Sequence, residues 1–198
     1  MKLIYNQVQF SNMDAKNTFE YNSVNYKEFL KRFRNLGDSE HTLIVYAGPF
    51  TTNREAALDE LKREIIGEAV IIDLAEVVTP FEEESYANID ECFSSIDENA
   101  PLVIFKNAEQ LNGVYTGYTG SVVKYASPQE KYFLRNVSKI KAPVVLEFKE
   151  FDQLDRMVVR KSDSVVLFKA PSSFIEKMAW KVQNWHVHGS HFLSPRPH

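Results

Sequence analysis

The sequence predicts an α/β fold: a three-layer sandwich with a five-stranded parallel sheet at its centre. Two observations predict it. Five short runs are apolar throughout: TLIVYA (42–47), AVIIDL (69–74), PLVIF (101–105), PVVLEF (143–148) and SVVLFKA (164–170). Helical segments follow them, near 53–66, 84–97, 128–140, 151–158 and 172–185. Strands apolar on both faces, alternating with helices, form a parallel sheet covered on both sides.

The elements are read in order as follows. Residues 2–10 and 18–24 read as two short strands or an irregular arm, with SNMDAKN as the turn between them. NYKEFLKRFRNLG places Tyr26, Phe29, Leu30 and Phe33 on one helical stripe, with Gly37 as its stop. The strand–helix rhythm then runs from 42 to about 185. A loosely ordered tail, SHFLSPRPH, is expected after Gly189.

Composition narrows the function classes. Hydrophobic residues at 44% and charged residues at 25% are ordinary globular values. The net charge of −4 gives no electrostatic case for nucleic acid as the main partner. The one cysteine, Cys92, excludes an internal disulfide framework and reads as a small buried apolar group. No apolar run reaches the roughly 18 residues of a membrane span. MKLIYNQVQF turns polar at Asn6 and Gln7, too early for a signal peptide, so the cytoplasm is expected. Without a secretion signal, the Asn136-Val137-Ser138 sequon carries no weight.

From about residue 26 to 185 the order of elements resembles the core domain of an AAA+ ATPase. LIVYAGPFTTNREAAL stands where such proteins carry the Walker A strand, loop and helix. ESYANIDECFSSIDENAPLVIFKNAEQL resembles the helix and Walker B strand. KAPVVLEFKEFDQLD looks like the sensor strand, and LDRMVVRKSDSVVLFKAPS like the arginine-bearing turn and last strand. The resemblance implies a P-loop-type strand order 5-1-4-3-2. It divides the chain into an N-terminal arm (1–24), an α/β domain (25–188) and a tail (189–198). The helical lid that follows such a core would be incomplete.

The chemical positions depart from the family. A Walker A loop uses glycines, a lysine and a hydroxyl to hold phosphate and Mg²⁺. Here Gly48 keeps the first corner, Thr51 and Asn53 stand at glycine positions, Arg54 replaces the lysine and Glu55 the hydroxyl. A Walker B strand ends in two acids; this one ends in Lys106 and Asn107. At the sensor strand, Glu147, Lys149 and Glu150 surround Phe148 where a polar residue such as Asn is usual. Arg160 and Lys161 lie where an arginine finger would be sought. These losses imply a degenerate nucleotide site and a pseudo-ATPase with no catalytic residue and no cofactor.

Two readings of Glu55 stand side by side. It pairs with Lys106 across the vacated magnesium site, or it closes a capping box with Thr52. Three further features are candidates. Phe81 lies where protein-threading relatives carry a pore loop, against the plainer reading of a turn before an acidic helix start. The glycine-rich stretch 112–131 carries Tyr115, Tyr118 and Tyr125, a candidate partner-binding loop or an inert surface one. His186, His188 and His191 form a weak candidate metal cluster.

The expected function is non-catalytic: an AAA+-like assembly subunit that binds protein partners, either itself or an active relative. No membrane contact is expected. Two alternatives stay open, a nucleotide-binding regulator or weak ATPase and a non-ATPase subunit of a clamp-loader-like machine. So does a different α/β fold that never bound nucleotide.

Overall fold

The structure, a computed structural model, describes residues 17–36, 41–112 and 126–169. By internal contacts the chain divides into residues 1–168 and 169–198; of the second unit only Lys169 is described. The first unit is built on one all-parallel sheet. Its strands are β1 (Thr18–Glu20), β2 (Leu43–Ala47), β3 (Val70–Asp73), β4 (Val103–Lys106), β5 (Val144–Phe148) and β6 (Ser164–Leu167). They lie in the order β1-β6-β2-β5-β4-β3.

The expectation of five strands is corrected to six. The additional strand, β1, comes from the segment 18–24 read as a short strand or an irregular arm outside the sheet, and pairs in parallel with β6 from Thr18↔Val165 to Glu20↔Leu167. Its hold is aromatic. Phe19 is buried, its ring centroid 5.3 Å from that of Phe29, and Arg32 lies over its outer face at 5.8 Å. Tyr21, just past the strand, packs its ring 5.2 Å from Phe168 and donates its backbone N–H to Leu167 O. A three-residue strand holds its edge position because these side chains dock, not because its ladder is long.

Helices cover both faces. On one lie α1 (Val24–Arg34) and α2 (Thr51–Glu64). Ser23 caps α1 by accepting the Tyr26 N–H, and the stripe Tyr26, Phe29, Phe33 is buried. Arg54, Ala57, Leu58 and Leu61 form the buried stripe of α2. These side chains meet Ile44, Tyr46, Ile104, Val145 and Val166 in one core. The two helices are tied by Tyr26 Oη donating to Glu60 at 2.7 Å and by an exposed Arg34–Glu64 pair.

On the other face lie α3 (Leu74–Val77), α4 (Glu82–Ser95), α5 (Pro128–Val137) and α6 (Arg156–Lys161). Phe93, Phe105 and Phe133 form its centre, with ring centroids 4.9–5.6 Å apart. The helix expected over 151–158 is instead a 3-10 turn (Phe151–Gln153) followed by α6, because Asp155 starts a new helix by accepting the Met157 and Val158 N–H groups. The helix at 172–185 and the tail lie outside the described residues.

Phe19→Ala removes the anchor of β1 and is expected to cost about 3–5 kcal/mol, as for other buried Phe truncations. A urea unfolding curve with a lowered midpoint measures it; a shift under about 1 kcal/mol, within the range of surface changes, contradicts the docking role of β1.

Candidate functional site

In open α/β sheets, ligand sites lie beyond the carboxyl ends of the strands. Here that rim carries two polar clusters, one beside β2 and β5, the other beside β3 and β4.

The first cluster starts at the turn after β2. Only Gly48, Pro49 and Phe50 separate the strand from α2. Gly48 has φ +142°, and a Cβ placed there would meet Phe168 O at 2.4 Å and Phe151 Cζ at 3.0 Å. Its glycine is therefore required by chain packing. A phosphate cradle needs several converging N–H donors. Pro49 has none, the Thr51 N–H bonds Pro49 O at 3.2 Å, and the Arg54 N–H bonds Phe50 O at 3.0 Å.

Under this turn lies the Arg54 side chain, 2% exposed. Its Nε donates to Glu147 Oε1 of β5 at 2.8 Å. Its Nη1 donates to the Gly48 carbonyl and its Nη2 to Thr51 Oγ1 at 3.2 Å. Glu147 is itself buried. The guanidinium is thus bonded to one carboxylate, one carbonyl and one hydroxyl, in the space between turn, helix and sheet. Charge-assisted bonds of this kind are the strong ones. Removing one partner leaves the other charge buried and alone, at a cost of about 3–5 kcal/mol.

The second cluster lies at the ends of β3 and β4. Asn107 takes a left-handed backbone, φ 56°, which aims its Nδ2 at Asp73 Oδ1, 2.5 Å away. Asp73 also caps α3 by accepting the Ala75 N–H at 2.9 Å. The Asn107 bond, then that N–H and the charges of Lys149 and Lys106, hold the Asp73 carboxyl below its usual range. Lys149 Nζ lies 3.3 Å from Glu109 Oε1.

The two readings of Glu55 are both corrected. Glu55 is exposed, and no Glu55–Lys106 ion pair exists among the described residues. The helix begins at Thr51 with Phe50 in the cap position, so Thr52 and Glu55 are already inside it and form no capping box. Glu55 follows Arg54 by one residue, about 100° around the helix. With Arg54 turned inward, Glu55 points to solvent. The residue that meets Arg54 is Glu147, 93 positions along the chain.

Asn53 is half-buried at the start of α2, and Lys106 half-buried at the end of β4. Phe81 is 70% exposed before α4, and Arg160 is exposed on α6. Tyr115, Tyr118, Tyr125, His186, His188 and His191 lie outside the described residues. Among the described residues no cluster of His, Cys, Asp or Glu could hold a metal ion, and no helix is long and apolar enough to cross a membrane. Cys92 is half-buried, and burial pushes its thiol up to about 11, which keeps it protonated at neutral pH.

The sequence also gave no sign of a second buried acidic contact. Glu130 is 1% exposed at the start of α5, and Asp155 is buried at the cap of α6. Apart from each other, Glu130 Oε1 and Asp155 Oδ2 have no hydrogen-bond partner. Burial first, then the hydrogen bond to Asp155 and its charge, push the Glu130 carboxyl up to about 9. Glu130 is therefore protonated at neutral pH.

Comparison with known proteins shows a likeness of fold. No family model matches the sequence, and no curated protein matches it. A chain in the solved structure of the E. coli MS115-1 HORMA:CdnC:Trip13 complex is similar in fold, with a TM-score of 0.50 at 14% identity. The likeness covers 90% of this chain and 64% of that one, so this chain spans less than two thirds of its neighbour's length.

Two measurements check this chemistry. Arg54→Met or Glu147→Met alone is expected to destabilise by about 3–5 kcal/mol, and the double variant by much less than their sum. Additive losses in a urea cycle would contradict the pairing. For Glu130, a raised folded pKa means stability is full below the usual 4.5 and is lost as pH rises toward about 9. Glu130→Gln is expected to flatten that fall, at most about 1.4 kcal/mol per pH unit; an unchanged pH profile would contradict a proton held on Glu130.

Proposed function

We propose that this chain is a non-catalytic, AAA+-like domain that serves as an assembly subunit through protein–protein contacts. One observation carries the reading. The Arg54 guanidinium, bonded to Glu147 and to the Gly48 carbonyl, occupies the space beneath the turn where a phosphate-binding loop would open. Three supports stand beside it. The turn is short, Pro49 has no N–H to offer, and the Gly48 and Thr51 N–H groups are already bonded to Phe148 O and Pro49 O. The strand ends offer Lys106 and Asn107, neither of which ligates magnesium well or activates water. Asn107 is engaged with Asp73.

The partner class follows from what remains. A domain that keeps a parallel sheet with both faces covered, while its would-be fuel site is packed with its own side chains, has its surface left for use. The similar fold comes from a multi-protein complex. Protein partners, a second copy or an active relative, are the class we assign.

Isothermal calorimetry with ATP–Mg²⁺, paired with a solution mass measurement, tests the reading. No heat of binding at protein concentrations of about 100 μM, where a Kd near 1 μM would be evident, is expected together with a discrete complex. Saturable micromolar binding would overturn it in favour of a regulator or weak ATPase.

A further inference from the structure

Strand β3 closes one side of the sheet, and among the described residues no strand lies beyond it. It pairs with β4 alone, in register from Val70↔Val103 to Asp73↔Lys106. The Val70 N–H bonds Leu102 O at 2.9 Å, so Val70 and Ile72 face β4 with their polar groups. Backbone groups alternate along a parallel strand. The N–H and C=O of Ile71 therefore point to the open side, an unpaired template for another strand.

Edges are protected by shortness, charge, proline or a bulge. VIID is short and its one charge, Asp73, stands at the strand's end; it has no lysine or proline. Instead the edge is apolar: Ile71 is 48% exposed, and Ile66, in the turn before the strand, is 94% exposed. Past the strand, Phe81 is 70% exposed on a turn that is firmly held. Thr79 exchanges two hydrogen bonds with Ser85 Oγ, Gln129 of α5 donates to the same hydroxyl, and Asn88 donates to Val77 O. The large side chain is displayed from a rigid base.

The chain segment that carries this edge is acidic, with Lys106 and Lys149 meeting it only at the carboxyl end of β3. Residues 65–105, which run from the turn before β3 through α3 and α4 into β4, contain ten carboxylates and no Lys or Arg. Nine of the ten are exposed, among them Glu68, Glu76 and Glu82. The whole chain is only −4, so the remainder is net positive.

We propose that the β3 edge is a docking site for a basic, strand-forming segment of a partner protein, which extends the sheet beside β3. Main-chain bonds to Ile71 would supply the pairing, its alternate apolar side chains would cover Ile66 and Ile71, and its lysines or arginines would meet the carboxylates. Charge chooses the occupant. A second copy presenting the same edge would set two acidic surfaces together, and like-charge contact is costly. The inference stands apart from the nucleotide reading: among the described residues the edge is unpaired, whether or not the space under Gly48 ever held phosphate.

The test uses the full chain and a fluorescein-labelled peptide of about eight residues alternating Lys and Val, a typical strand length. A Lys-Pro peptide of equal charge, unable to form a ladder, is the control. Anisotropy should show the Lys-Val peptide binding about tenfold more tightly, a difference of about 1.4 kcal/mol. On binding, hydrogen exchange should slow at the Ile71 and Asp73 amides. Ile71→Pro removes an outward donor but no bond to β4, and should weaken binding about tenfold. Glu68→Lys with Glu76→Lys, both at exposed positions, should weaken it similarly and reduce its salt dependence, which decides the matter if the proline variant unfolds. Equal binding of both peptides, no binding, or unchanged exchange at Ile71 would overturn the proposal. So would self-association that Ile71→Pro abolishes, which would make a second copy the occupant.

Discussion

A guanidinium cannot be buried without partners, and this one has three. Arg54 is held by Glu147, the Gly48 carbonyl and Thr51 at the junction of β2, β5 and α2. Its bonds set the geometry of the turn, since the Gly48 carbonyl must face inward to accept. They also set the rotation of α2, since Arg54 must point at the sheet and so turns Ala57, Leu58 and Leu61 onto the same core. The pair joins two central strands' ends through a helix, at the carboxyl rim of the sheet. The buried guanidinium is thus paired by groups of the chain itself.

The other rim cluster follows the same logic at lower energy. Asp73, Asn107 and the Ala75 N–H complete one another's bonding at the end of β3, and Lys106 and Lys149 add positive charge nearby. These groups are partly exposed, so solvent screens them and their worth in stability is modest. Their consequence is positional. They fix the start of α3, and with it the path of the chain from the β3 edge to the displayed Phe81.

The main strands could be read from the sequence because their apolar runs are buried on both faces, a pattern few other structures produce. β1 was only partly visible: three residues with a single buried Phe carry too little periodicity, and its place beside β6 depends on contacts with α1 and Phe168. That residues 48–55 and 106–107 depart from the Walker patterns was legible in the sequence. The bonds these residues make were not. Assigning partners by family position led to Glu55 and Lys106, but a helix that starts at Thr51 turns Glu55 outward. No local pattern could link Arg54 to Glu147 across 93 residues. The Glu130–Asp155 contact was hidden for the same reason: each acid also reads as an ordinary helix-start residue, and only the tertiary packing brings them together.

Arg54 is turned inward and held by Glu147, the Gly48 carbonyl and Thr51, instead of being left open to a phosphate. The most direct measurement is the NMR signal of its Nε–H in the intact protein, followed as ATP–Mg²⁺ is added. A single slowly exchanging resonance is expected, absent in Glu147→Met and unmoved by nucleotide. A signal that exchanges freely with water, or one that shifts as ATP–Mg²⁺ saturates, would contradict it.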